Sequence, residues 1–233
     1  MNIKNLFLKK DRKPGEPLTI KEMERLIKNR MNVTNKEFEA GYNLIKKYPR
    51  SVSILGSARF TSDNIYYKQA ESLGKRIVKE LNYTVVTGGG PGIMEAANKG
   101  AYEAGGKSLG FAIKLPKEQI VNKYLTEYVE FEYFFSRKTL LFFSAETYVY
   151  YPGGFGTMDE LFEILTLIQT GEIPRVPVIL VGHEFWQPLL DLIKEELLED
   201  EQTIDLQDTN IYKIVDSEDE ILSIIKNAPF RQE

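Results

Sequence analysis

Val85-Val86-Thr87-Gly88-Gly89-Gly90-Pro91-Gly92-Ile93-Met94-Glu95 reads as a β-branched strand that runs into a glycine turn and then into a helix. Glycine tolerates positive φ and lets a ligand approach the backbone closely, while Pro91 suits a first helical turn. The stretch is not the dinucleotide fingerprint. Read from Gly88 as G-x-G-x-x-G, its third glycine is replaced by Ile93, and no Lys-Ser or Lys-Thr pair turns it into a Walker loop. Taken alone, it serves equally well as a tight turn with no ligand.

The same alternation of strand and helix extends outward from this unit. Short β-branched or aromatic runs predict strands at 52–55, 83–87, 108–113, 128–131, 147–151, 176–181 and 211–215. Helical spacing predicts helices at 66–81, 91–104, 136–145, 157–170, 186–198 and 218–226. Such an order indicates an α/β, Rossmann-like three-layer sandwich, with a mostly parallel sheet of about seven strands and helices on both faces. In that architecture ligands sit beyond the carboxyl ends of the strands, which directs attention to the loops at Gly56–Arg59, Gly88–Gly92 and Pro152–Thr157. Residues 51–233 form the expected nucleotide-binding domain. Residues 1–50 read as a polar arm and a helical extension, in which Ile20, Met23 and Ile27 start one helical stripe and Phe38, Tyr42 and Ile45 continue it after a cap expected at Thr34 or Asn35.

Composition limits the chemistry. With 42% hydrophobic residues in 233, the chain can bury a full core. Cysteine is absent and His183 is the one histidine, so disulfides, thiolate nucleophiles and His or Cys metal clusters are excluded, and no metal or cofactor is expected. The net charge of −4 is spread along the chain without a basic stripe, which argues against a nucleic-acid partner. No apolar run of membrane-spanning length and no leader-type start is present, so no membrane partner and a cytoplasmic location are expected. An anionic ligand must then be held locally, by backbone amides at helix starts and one or two cations.

Tyr151-Pro152-Gly153-Gly154-Phe155-Gly156-Thr157-Met158-Asp159-Glu160 is the more informative glycine loop. Three glycines precede a helix whose free N–H groups and positive dipole end can cradle a phosphate, with the Thr157 hydroxyl as a further donor. Glu160 shares a helix face with Thr157, which sets a carboxylate beside the anion site. The bland alternative is a glutamate that complements the helix dipole. Between the two glycine loops, Ser136 is expected to cap a helix that opens with Arg137 and Lys138, a place unfavourable for cations unless an anion lies nearby. Tyr133, Phe134, Phe142 and Phe143 are taken as core.

Together, G-G-G-x-G-x-M at Gly88–Met94, the Arg137-Lys138 pair and P-G-G-x-G-T-x-x-E at Pro152–Glu160 resemble the LOG ("lonely guy") family of cytokinin riboside 5′-monophosphate phosphoribohydrolases, long labelled possible lysine decarboxylases. Leu115-Pro116-Lys117-Glu118-Gln119, with Asn122 and Tyr124, looks like the family's bacterial branch. The resemblance implies hydrolysis of the N-glycosidic bond of a purine nucleoside 5′-monophosphate, AMP or N6-prenylated AMP, to free base and ribose 5-phosphate. It implies Glu160 and Arg137 as the catalytic pair. Lys138, Gly153, Gly154, Gly156 and Thr157 are placed around the nucleotide, with Glu118 and Thr166 as further contacts. Ser57, Gly88, Gly89, Gly90 and Met94 complete the expected substrate-binding set on the other loops. A homodimer or larger homo-oligomer is also implied.

Three other readings stand beside this one. A pyridoxal decarboxylase would need a Schiff-base lysine and a partner for the pyridinium nitrogen, which no segment assembles. Ser-His-Asp hydrolysis lacks a G-x-S-x-G elbow around any serine that could use His183. The fold and glycine loops would, however, equally suit a non-catalytic nucleotide sensor or a carrier of a phosphorylated cofactor.

Overall fold

The computed structural model describes residues 17–115 and 121–229. A long helix α1 (Ile20–Lys47) leads into β1 (Ser51–Leu55), α2 (Ile65–Arg76), β2 (Thr84–Thr87), α3 (Ile93–Glu103), β3 (Ser108–Ile113) and β4 (Glu127–Phe131). There follow α4 (Phe134–Phe143), β5 (Thr147–Tyr150), α5 (Phe155–Gln169), β6 (Val178–Leu180), α6 (His183–Leu192), β7 (Tyr212–Ile214) and α7 (Glu218–Asn227). Wider π-type turns extend α2 through Ile77–Leu81 and α6 through Ile193–Asp200. Asn82, in the left-handed region at φ 56°, ends the first of these.

All seven strands are parallel, in the order β4-β3-β2-β1-β5-β6-β7. The five inner strands are buried throughout, whereas the edge strands β4 and β7 are half-buried. That pattern belongs to a sheet covered on both faces. Alternate residues of each strand enter opposite cores. Leu55, Val86, Tyr148, Tyr150 and Leu180 pack with Leu140, Leu161, Ile164 and Trp186 on one face; Val52, Ile54, Val85, Val149 and Ile179 pack with Leu73, Ile93, Ala97 and Ile221 on the other. The expected three-layer α/β sandwich is thus the observed fold.

Two glycines set the closest helix contact. A Cβ on Gly74 would strike the Ala97 carbonyl of α3, and one on Gly100 would strike the Glu71 carbonyl of α2. Bare backbone lets these helices approach within backbone contact.

Four local expectations are corrected. First, α1 is one unbroken helix, and Thr34 and Asn35 lie inside it instead of capping a second one. Its cap is Thr19, in a reciprocal box with Glu22. Packing against α4 and β4 carries the helix through those polar residues: Glu37 is buried and accepts the Glu132 N–H and the Ser136 hydroxyl, and Arg30 lies over the rings of Tyr133 and Phe135. Second, α3 starts at Ile93 behind Gly92 at φ 71°, so Pro91 belongs to the turn and not to the first helical turn. Third, α4 starts two residues before Ser136, with Tyr133 at its cap position; Ser136 is used by Glu37, and the cations fall in the second turn. Fourth, of the aromatic residues assigned to the core, Phe142 is buried, but Phe134 and Phe143 are exposed. Phe143 meets Tyr42 of α1 edge-on, while Phe134 borders the site described next.

Candidate functional site

The chain enters the sheet at β1, builds outward through β2, β3 and β4, then crosses to β5 on the other side of β1. The loops after β1 and β5 therefore diverge and leave a crevice at the carboxyl ends of the strands. A cavity of about 810 Å³ opens there. Its walls come from Gly56 to Phe60 after β1, Gly88 and Met94 after β2, Ile113 and Leu115 at the end of β3, Phe134 and Arg137 of α4, Gly153 to Met158 and Glu160 of the β5–α5 segment, and Phe185 of α6. Two backbone bonds hold the loops together: Ser57 N–H donates to the Pro152 carbonyl at 3.0 Å, and Ile93 N–H donates to the Ser57 carbonyl at 3.0 Å.

One wall is the start of α5. Met158 N–H closes the first helical bond, to the Gly154 carbonyl at 3.0 Å. The amides of Phe155, Gly156 and Thr157 precede it and have no acceptor within the helix, and the positive end of the helix dipole adds to them. Thr157 is only 5% exposed, lines the cavity, and its hydroxyl is bonded to no described residue. A Cβ on Gly154 or Gly156 would meet nothing within 4 Å, and neither residue has positive φ. Glycine is not demanded at these positions by the protein's own packing or torsions. What it provides is bare backbone facing the cavity, the arrangement that an anion docking on amides requires. Gly153 differs, because its Cβ would collide with the Thr157 side chain.

The acid of the site is held by one arginine. Glu160, further along the same face of α5, pairs with Nη1 of Arg137, whose Nε donates to the Phe111 carbonyl at 2.9 Å. The two side chains are 12% and 8% exposed, so what accessibility they keep is toward the cavity. Gly88 makes room for the pair: a Cβ there would strike the Arg137 guanidinium and lie 2.8 Å from the Met94 sulfur. Behind them, the Tyr150 hydroxyl donates to the Glu160 carbonyl at 3.1 Å. Burial, with the Glu160 charge adding to it, keeps the Tyr150 phenol well above its ordinary pKa, so it remains a neutral donor.

Of the expected site residues, Ser57, Gly88, Met94, Arg137, Gly153, Gly154, Gly156, Thr157 and Glu160 meet around this one cavity. Gly89 and Gly90 do not line it. They are held from behind: Gly89 N–H donates to the Thr87 hydroxyl at 2.9 Å, and Asn122 donates its N–H to the Gly89 carbonyl at 2.9 Å and its amide side chain to the Gly90 carbonyl at 3.0 Å. Lys138 also lies off the cavity lining. Its ammonium bridges Asp159, at 3.0 Å, and Glu163, pinning α4 to α5. Burial acts to lower its pKa, but the hydrogen bonds to these two carboxylates outweigh that and raise it. Thr166 sits on the outer side of α5 in a shallow surface groove with Asp159, Phe162, Glu163 and Leu167. Glu118 lies outside the described residues.

The sequence reading pointed to the loops that carry Arg59 and Phe155 without singling out either residue, and it missed Phe134 and Phe185 on the walls and Tyr150 behind Glu160. Phe155 carried a signal, being a large apolar residue inside a glycine loop; here it is 96% exposed at the cavity rim. Among the described residues no lysine lines the cavity, so the Schiff-base anchor that pyridoxal chemistry needs is not provided there.

Fold and site together define a doubly wound α/β protein with the free amides of a helix start and an Arg–Glu pair in one crevice. The chain belongs to the family described as "possible lysine decarboxylase", whose model matches residues 94–225. It is 28% identical over 156 residues to the cytokinin riboside 5′-monophosphate phosphoribohydrolase of Rhodococcoides fascians, covering 65% of this chain and 77% of that one. To an Oryza sativa subsp. japonica protein called "probable cytokinin riboside 5′-monophosphate phosphoribohydrolase" it is 28% identical over 181 residues, with 77% of each chain covered. Among solved structures, the molybdenum cofactor carrier protein of Chlamydomonas reinhardtii superposes with a TM-score of 0.56 at 20% identity, over 76% of this chain and 96% of that one, and thus shares the fold.

Proposed function

We propose that this chain hydrolyses the N-glycosidic bond of a purine nucleoside 5′-monophosphate, AMP or an N6-substituted AMP, releasing free base and ribose 5-phosphate. The observation that carries the reading is the juxtaposition of Glu160, held by Arg137, with the unsatisfied amides of α5 in one cavity. The 5′-phosphate docks on those amides and the Thr157 hydroxyl, and this remote binding fixes the ribose. As the C1′–N bond breaks, positive charge grows on the sugar, and the Glu160 carboxylate opposes it. Water adds to C1′ and Glu160 takes one of its protons; the base leaves with its bonding electron pair and takes a proton from solvent, to which Glu160 returns its own. Arg137 keeps the carboxylate turned to the cavity. The names of the two curated relatives support this reading.

A second reading has its own support: the same fold serves a molybdenum cofactor carrier, so a non-catalytic carrier or sensor of a phosphorylated ligand could use the α5 start alone. Such a protein has no evident use for an acid beside the anion site. Incubation with a panel of nucleoside monophosphates, followed by chromatography for base and ribose 5-phosphate, separates the two. Cleavage of at least one purine nucleotide supports the hydrolase; binding across the panel with no base released supports the carrier. The proposal extends to a cytoplasmic homo-oligomer.

A further inference from the structure

Charge balance around the cavity points to a residue that no motif singled out. Resting on the nucleotide reading above, we propose that Arg59 is the cation that neutralises the 5′-phosphate; the resemblance places a different cation, Lys138, around the nucleotide. Two arginines line the cavity, Arg59 and Arg137. Arg137 is committed to Glu160 and to the Phe111 carbonyl. Lys138, off the lining, is shared between Asp159 and Glu163. A phosphate dianion docking at α5 would add two negative charges beside Glu160, and neither cation has an uncommitted charge to offset them.

Arg59 does. Its side chain is exposed, lines the cavity and makes no ion pair with any described residue. Its backbone is fixed, because its N–H donates to the Ser57 hydroxyl at 3.1 Å, and Ser57 is itself tied by its N–H to the Pro152 carbonyl that opens the glycine loop of α5. The loop that carries Arg59 is therefore stitched to the loop that presents the amides. The hydroxyl of Thr157, a residue only 5% exposed, is bonded to no described residue and marks the same wall as prepared for an acceptor-rich ligand. A guanidinium offers the planar donor pair that matches two phosphate oxygens. Paired with phosphate, Arg59 closes the mouth of the cavity over the ligand, while Arg137 stays with Glu160.

The test compares ligands that differ only in phosphate. Calorimetry measures AMP and adenosine binding to the wild type, Arg59→Gln and Lys138→Gln. Arg59→Gln is expected to weaken AMP binding by about 10- to 100-fold, the range for a charge-assisted hydrogen bond, and to leave adenosine affinity within about twofold. Arg59→Lys should recover part of the loss. Equal loss for AMP and adenosine, unchanged AMP binding in Arg59→Gln, or loss of phosphate preference in Lys138→Gln with Arg59→Gln intact would overturn the assignment. Turnover is not needed for any of these readings. A wild type that binds AMP without cleaving it would refute the hydrolase and leave the Arg59 assignment standing.

Discussion

Replacing Arg137 by Met isolates the interaction on which the site is built. The substitution keeps the apolar stem but removes the guanidinium that pairs with Glu160 and donates to the Phe111 carbonyl. With side-chain exposures of 8% and 12%, the pair is close to buried, and stranding one charge of a buried pair costs about 3–5 kcal/mol. Because Glu160 opens onto the cavity and water can reach it, the lower end applies, about 3 kcal/mol. Glu160→Gln leaves an amide oxygen that still accepts from the guanidinium, but it strands the Arg137 charge, so it should cost about 2–3 kcal/mol. In the double variant no carboxylate is stranded, so the combined loss falls short of the sum by about 1.5–3 kcal/mol. Urea unfolding of the four proteins, followed by the fluorescence of the single and fully buried Trp186, measures this coupling. A coupling below about 0.5 kcal/mol, the range of exposed pairs, would refute the view that Arg137 holds Glu160.

Two further outcomes follow from the packing. Gly100→Ala places a methyl against the Glu71 carbonyl and 2.8 Å from the Lys75 nitrogen; both are backbone, so α2 and α3 must separate, and a net destabilisation of about 2 kcal/mol in urea is expected despite the better helix propensity of Ala. A stability gain would contradict the close contact. Tyr48 donates to Glu127, which pushes the phenol up to about 12 and, with Lys47, holds the carboxyl below its ordinary 4.5. A lowered carboxyl pKa gives stability that is present above 4.5 and lost as pH falls through the folded value. Tyr48→Phe should therefore destabilise at pH 7 and lose its effect as the pH falls below 4.5 and through the folded carboxyl pKa, whereas a difference that stays constant through that acid range would show that the hydrogen bond is not coupled to Glu127 ionisation.

The layered fold was legible because each strand-to-helix unit announces itself locally. Val85 and Val86 ahead of three glycines, or Tyr148 to Tyr150 ahead of Gly153 and Gly154, combine β-branched or aromatic runs with backbone that must turn. Helix starts were less legible, since tertiary partners decide them. Ser136 looked like a cap, but Glu37, 99 residues away in sequence, claims its hydroxyl, and α4 begins earlier. The same long-range packing carries α1 past Thr34 and Asn35. At the site, Glu160, Arg137 and the α5 glycines could be read from local pattern and resemblance. Arg59 could not, because its importance lies in which other cations are already paired, and pairs such as Lys138 with Glu163 exist only once α4 and α5 are side by side. Asn122 likewise reads as a polar loop residue until its side chain is seen holding the Gly90 carbonyl and the Asn98 side chain.

The most direct test follows free adenine released from AMP by the wild type and by Glu160→Gln, with AMP affinity measured on both. The expected result is base and ribose 5-phosphate from the wild type, with turnover in Glu160→Gln reduced by about 100-fold or more and nucleotide binding retained. Undiminished release by Glu160→Gln would contradict the assignment of that carboxylate, and tight AMP binding with no release by the wild type would contradict the enzyme itself.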